Sequence, residues 1–155
     1  MDRVKKSLDG EGVSYVELGG VKPNPRSGLV YEGIDLCRRE GVDFILAVGG
    51  GSVIDSAKAI GYGVENEGDV WDFYERKRQA CGCLPIGVVL TIAAAGSEMS
   101  DSAVLTNEET GKKAGAHSDL ALKIYGEDIT ETRHIADKVV NVIKQIPGAT
   151  DVAVD

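Results

Sequence analysis

Apolar positions along the chain fall into short blocks of two periods, and the blocks predict its elements. The run Phe44-Ile45-Leu46-Ala47-Val48 is uninterrupted, which predicts a strand buried on both faces. Gly49, Gly50 and Gly51 follow it. Ser52 then stands where a helix N-cap belongs, ahead of a helix with Val53, Ala57 and Ile60 on one face and Asp55 in its first turn. Upstream, residues 2–8 read as helix ending near Gly10 and Gly12, and residues 13–18 alternate as a strand that stops at Gly19-Gly20. Residues 21–25, with Pro23 and Pro25, must be loop, because proline disfavours helix in the residue before it. Residues 27–40 carry Val30, Ile34 and Cys37 at helical spacing, and Gly41 closes that helix. Downstream come a short helix at 69–75, a second buried strand at 84–95 and a polar hairpin at 102–115 turning near 107–111.

Strands separated by helices imply an α/β fold with a parallel sheet and right-handed crossovers. Ligands of such sheets bind at the carboxyl ends of the strands. Two loops of small residues, 49–52 and 91–97, lie at ends of that kind. Strand, glycine turn and helix N-terminus together make a phosphate cradle, since small residues let the backbone approach an oxyanion and the helix dipole favours its charge. The same glycines are also consistent with a plain tight turn.

The last segment patterns as strand, helix, strand. Leu120, Leu122 and Ile124 alternate up to Gly126. Thr130 can cap a helix whose Ile135, Val139, Val142, Ile143 and Ile146 form one apolar face, and Val152 and Val154 alternate after Pro147-Gly148. One such unit cannot bury both its faces, so residues 118–155 are expected to pack on residues 1–117 as a single compact domain.

Composition narrows the classes. The chain of 155 residues suits one domain, and its net charge of −8 argues against a nucleic-acid-binding surface, which needs clustered Lys and Arg. No apolar run reaches membrane-spanning length, and no charged-then-apolar leader opens the chain, so a cytoplasmic protein without membrane contact is expected. Cys37, Cys81 and Cys83 are odd in number and read as reduced thiols rather than a disulfide framework or zinc site. His117 reads as polar loop and His134 as a solvated helix residue. Glu98 and Asp101 read as solvent-exposed carboxylates, with acid–base work as the sharper alternative. Trp71 is expected in the core, and residues 65–69 as a solvated loop ending in a cap at Asp69.

Long ordered stretches carry a family resemblance: VKPNP at 21–25, DFILAVGGGSVIDSAKAI at 43–60, DVWDF at 69–73, TIAAAGSEMS at 91–100 and TNEETGKKAG at 106–115. Residues 1–120 resemble the N-terminal nucleotide-binding domain of iron-dependent, group III alcohol dehydrogenases of the butanol dehydrogenase kind. The resemblance implies a Rossmann-like, three-layer parallel sheet with helices on both faces, and an NAD(P)-dependent enzyme interconverting alcohols with aldehydes or ketones. It implies Gly50, Gly51 and Ser52 as pyrophosphate contacts, and Asp55 as a nearby acidic side chain. Thr91 and Ser97 would lie beside the nicotinamide half, with Lys113 reaching toward cofactor hydroxyls.

Family members carry a strand and glycine turn before the first helix here, and a later helical domain with metal-binding histidines. This chain has two histidines in all. Weak NAD or NADP binding without bound iron or zinc, and without catalysis, is therefore expected. Residues 118–155 resemble instead a strand–helix–strand piece from the porter region of heavy-metal efflux pumps of the resistance-nodulation-division type, on SDLALKIYGED and KQIPG. So read, the chain is a chimera joined at 118–120. Strands 120–125 and 151–154 are expected to complete the sheet, within one chain or by strand exchange in a homodimer. The competing readings are a recombination product without selected activity and a reductase rebuilt by oligomerisation.

Overall fold

Two helices that meet through glycines organise the structure. This computed structural model describes residues 1–94 and 96–117. Helix α1 spans Asp2–Gly10 and buries none of its residues. Helix α2 spans Ser27–Glu40, as its periodicity predicts, and Val30, Ile34 and Cys37 are buried. It ends at Gly41, whose φ of 65° lies in the left-handed region, where glycine pays no Cβ penalty. Helix α3, Gly51–Glu65, packs on α2. A Cβ at Gly33 would run into the Ile60 side chain, and one at Gly63 into that of Ile34, so the close approach depends on their lack of side chains.

Strand β1, Ile45–Gly49, pairs in parallel with β2, Ile86–Leu90, from Ile45↔Ile86 to Gly49↔Leu90. The face carrying Ile45, Ala47, Ile86 and Val88 packs on Val53, Ile54 and Ala57 of α3. Phe44 and Leu46 stand on the other face and are 51% and 37% exposed. This corrects the expectation of strands buried on both faces. An apolar run supplies the material for burial, but among the described residues α3 covers one face alone, and the Phe44 ring lies over Gly87 instead. The second strand is also shorter than the expected 84–95. Its last rung falls where β1 ends at Gly49, and Thr91 then donates its amide to the Gly49 carbonyl at 3.0 Å.

Residues 13–18 form no strand, because alternation needs a neighbouring strand and they join no ladder among the described residues; the Val13 amide donates to the Leu8 carbonyl at the end of α1 instead. Val13, Tyr15 and Val16 are exposed, and Leu18 packs against the core. Val16 and Leu18 instead face the edge of β1 across a cleft of about 150 Å³.

Strands β3, Ser102–Thr106, and β4, Lys113–His117, form the expected antiparallel hairpin. Asn107 shapes its turn, accepting the amides of Glu109 and Thr110 on Oδ1 at 2.9 and 3.0 Å. The hairpin is not polar throughout: Ala103, Leu105 and Ala116 are buried in the same core as α2 and α3. Its turn also caps α2, since the Glu108 carboxylate accepts the Gly28 amide at 3.0 Å and Ser27 Oγ accepts the Glu108 amide at 3.1 Å. Helix α4, Trp71–Tyr74, is shorter than the expected 69–75. Asp69 starts it by accepting the Trp71 amide at 2.9 Å, and Trp71 lies in the core, stacked on Tyr74 at 5.5 Å between centroids.

The observed fold is thus α/β, with a two-stranded parallel sheet and a hairpin among the described residues. The chain divides into units Met1–Leu120 and Ala121–Asp155. The strands expected at 120–125 and 151–154, the helix with His134, and their place in the sheet lie outside the described residues.

Candidate functional site

The carboxyl ends of β1 and β2 lie side by side, and each opens into a loop of small residues. Gly50 is the N-cap of α3, with φ −96° and ψ −168°, and the helix begins at Gly51. Ser52 is therefore not the cap but a first-turn residue, and its carbonyl accepts a hydrogen bond from Ser56 Oγ at 2.9 Å. The helix therefore starts one residue ahead of the type that would ordinarily cap it, and Gly50 caps it from an extended conformation. The Gly50 carbonyl takes the amides of Val53 and Ile54 at 3.0 and 3.2 Å. The amides of Gly51 and Ser52 precede any intrahelical acceptor and sit at the positive end of the dipole.

The glycines differ in what surrounds them. A Cβ on Gly49 would lie 2.5 Å from Val53 Cγ2, so this glycine serves packing between strand and helix. A Cβ on Gly50 would have Ile92 Cβ at 3.9 Å as its neighbour, and one on Gly51 would have Ser97 Cβ at 3.9 Å. Each of these two therefore leaves room for a Cβ at ordinary contact distance from the loop after β2. Thr91 is exposed on that loop.

Asp55 faces the protein rather than the opening. Its carboxylate accepts Ser97 Oγ at 2.5 Å and the Val104 amide at 3.2 Å. Ser97 is buried, and its hydroxyl is engaged by Asp55 and by Lys58. Lys58 escaped the sequence reading. The signal was a lone charged residue in the helix stretch from Ser56 to Gly63, all of it buried. Its Nζ donates to Ser97 O at 2.6 Å, Ser97 Oγ at 3.2 Å and Ser102 O at 2.9 Å.

Lys113 belongs to another cluster. Its Nζ donates to Asn24 Oδ1 at 2.8 Å, and the Thr106 amide donates to the Pro25 carbonyl at 2.8 Å, so hairpin and 21–25 loop are joined. Asn24 takes a left-handed φ of 60° between its two prolines. Glu98 and Asp101 are half-buried, which corrects their reading as freely solvated.

Among the described residues no three His, Cys, Asp or Glu side chains gather as metal ligands, so the donor set there does not fit a divalent metal. Cys37, Cys81 and Cys83 are free thiols. Burial raises the Cys37 thiol and pushes that of Cys83 up to about 11, while Cys81 is exposed. At pH 8, below that value, Cys83 stays protonated and carries about a hundredfold less thiolate than an ordinary cysteine. A thiol reagent is therefore expected to modify Cys81 in a fast phase that Cys81→Ser removes. A fast phase surviving that substitution would contradict this assignment.

Comparison with known proteins places the chain among its relatives. The chain is 48% identical over 132 residues to the probable NADH-dependent butanol dehydrogenase 2 of Bacillus subtilis, covering 85% of this chain and 32% of that protein. It is similar to the crystal structure of NADH-dependent butanol dehydrogenase A from Thermotoga maritima, with a TM-score of 0.74 and 48% identity over 76% of this chain and 30% of that one. It is also similar to sulfoacetaldehyde reductase from Bifidobacterium kashiwanohense, solved in complex with NAD+, with a TM-score of 0.69 and 33% identity over 76% and 31% of the two chains. The chain thus spans about a third of the length of the relatives it matches. No helix among the described residues is long and apolar enough to cross a membrane. With the sequence model for iron-containing alcohol dehydrogenase matching residues 1–123, the chain belongs to that family.

Proposed function

We propose that this chain binds the pyrophosphate and flanking groups of a nicotinamide dinucleotide at the glycine turn, weakly and without turnover of its own. The observation that supports this reading is the unfilled position at Gly50 and Gly51, at the amino end of α3, where an added Cβ would meet its nearest neighbour at 3.9 Å. Gly50, Gly51 and Ser52 would hold the pyrophosphate through backbone amides. Thr91, exposed on the facing loop, would border the nicotinamide half, and Ser97 would form the wall behind it. Lys113, held by Asn24, would meet cofactor hydroxyls. The bound group would supply a hydride; the protein would bind and orient it.

Binding without turnover fits the described residues, which offer no donor set for a divalent metal to polarise an alcohol oxygen. The porter-like reading of residues 118–155 is supported by their sequence pattern alone, and the family match runs past the junction at 118–120, to residue 123.

Titration of the full chain with NADH and NADPH, followed by nucleotide fluorescence, tests the proposal. Saturable binding in the micromolar to millimolar range is expected. No binding at millimolar nucleotide would overturn it, and metal-dependent alcohol oxidation by the purified chain would overturn its second half.

A further inference from the structure

We infer that Lys58 is a positioning residue of the glycine-turn site: with Asp55 it fixes the loop after β2 against the turn, acting through Ser97. The inference rests on the dinucleotide reading above.

Lysine is seldom buried without acceptors for its ammonium group. Lys58 is 8% exposed, and three acceptors stand around its Nζ: the Ser97 carbonyl, the Ser97 hydroxyl and the Ser102 carbonyl. All three belong to the segment leading from the loop into β3. Asp55 precedes Lys58 by three residues, so the two side chains rise from one face of α3. Asp55 takes the Ser97 hydroxyl on one oxygen and the Val104 amide on the other. Carboxylate, hydroxyl and ammonium thus form one chain of charge-assisted bonds, in which Ser97 is the shared member.

What the chain holds is the wall of the site. The Ser97 Cβ stands 3.9 Å from where a Cβ on Gly51 would be. A shift of the 97–102 segment would change the width of the space in front of Gly51. Lys58 donates to the loop at Ser97 and to Ser102, and its effect on a ligand would pass through Ser97. A purely structural buried lysine would behave otherwise: its loss would change stability and leave the affinity of the folded protein alone.

The test uses the full chain with Lys58→Met, Lys58→Gln and Lys58→Arg, each checked for folding by circular dichroism. Two quantities are read, the Kd for NADH and the hydrogen-exchange protection of amides 97–104. Folded Lys58→Met is expected to lose protection in that segment and to raise Kd by roughly tenfold. Lys58→Arg, which keeps the charge, is expected to restore part of both. If Lys58→Met does not fold, Lys58→Gln, which retains a donor, is read in the same way. A folded variant with wild-type Kd and wild-type protection in 97–104 overturns the inference alone. A wild-type chain that binds no NADH overturns the dinucleotide reading, and the inference with it.

Discussion

Gly51→Val is expected to abolish dinucleotide binding while leaving the fold intact. The added Cβ meets no atom closer than Ser97 Cβ at 3.9 Å, so the protein has room for it. Gly51 is the first residue of α3 and has a helical backbone. Exchanging glycine for valine there costs the helix nothing and gains a few tenths of a kcal/mol of propensity, at about the level of host–guest scales. The added side chain would stand beside the amides that a pyrophosphate needs. Loss of NADH binding with an unchanged melting temperature is the expected pair of results. Gly49→Ala is the control with opposite signs. Its Cβ would lie 2.5 Å from a Val53 side chain, and overpacking of that kind costs about 1–3 kcal/mol. If Gly51→Val binds NADH as the wild type does, the cradle is not where the nucleotide sits.

The two glycines also show what was legible in the sequence. A buried strand, three glycines and a helix mark the turn without ambiguity, but which glycine packs and which one opens onto the site depends on what lies opposite. Val53, Ile92 and Ser97 decide that. Helix α2 was readable to the residue, since Val30, Ile34 and Cys37 set its face and Gly41 its end. The hairpin was legible from its turn chemistry around Asn107 and Gly111, but its second strand runs on to His117, which pairs with Ser102 and was read as loop. Residues 13–18 show the limit of periodicity, because alternation describes a chain suited to pairing and is silent on whether a partner strand is present. Phe44 and Leu46 show the same limit for burial.

Lys58 was missed for a different reason. Lysine is ordinarily solvated, and what holds it lies 39 to 44 residues further along the chain. The pairing of Asp55 with Ser97, across 42 residues, is of the same kind. Local pattern locates elements and turns; hydrogen bonds from a charged side chain to a distant loop become visible with the tertiary contacts. Ser52 failed for a local reason, since the preference of serine for caps gave way to a helix that begins within the glycines.

Leu105→Ala is expected to produce the largest loss of stability among single truncations in the hairpin, about 2–5 kcal/mol for a fully buried leucine. Leu105 has no exposed surface and lies in the cluster that joins α2, α3 and the aromatic residues of α4. Its neighbour Val104 donates its amide to Asp55, and Ser102 gives its carbonyl to Lys58. The strand that Leu105 anchors is therefore the one that carries the contacts holding the loop beside the glycine turn. Loosening it should act on two observables in sequence. The melting temperature falls first, by several degrees per kcal/mol for a domain of this size. NADH affinity then weakens in the fraction that remains folded, because the Asp55 and Lys58 partners lose their fixed position. Val16→Ala, at an exposed position outside any strand, is the matched comparison and should stay within about 0.5 kcal/mol of the wild type. Urea unfolding of both variants measures the difference. A Leu105→Ala midpoint equal to that of Val16→Ala would remove the hairpin from the core and, with it, the mechanical link from core to site.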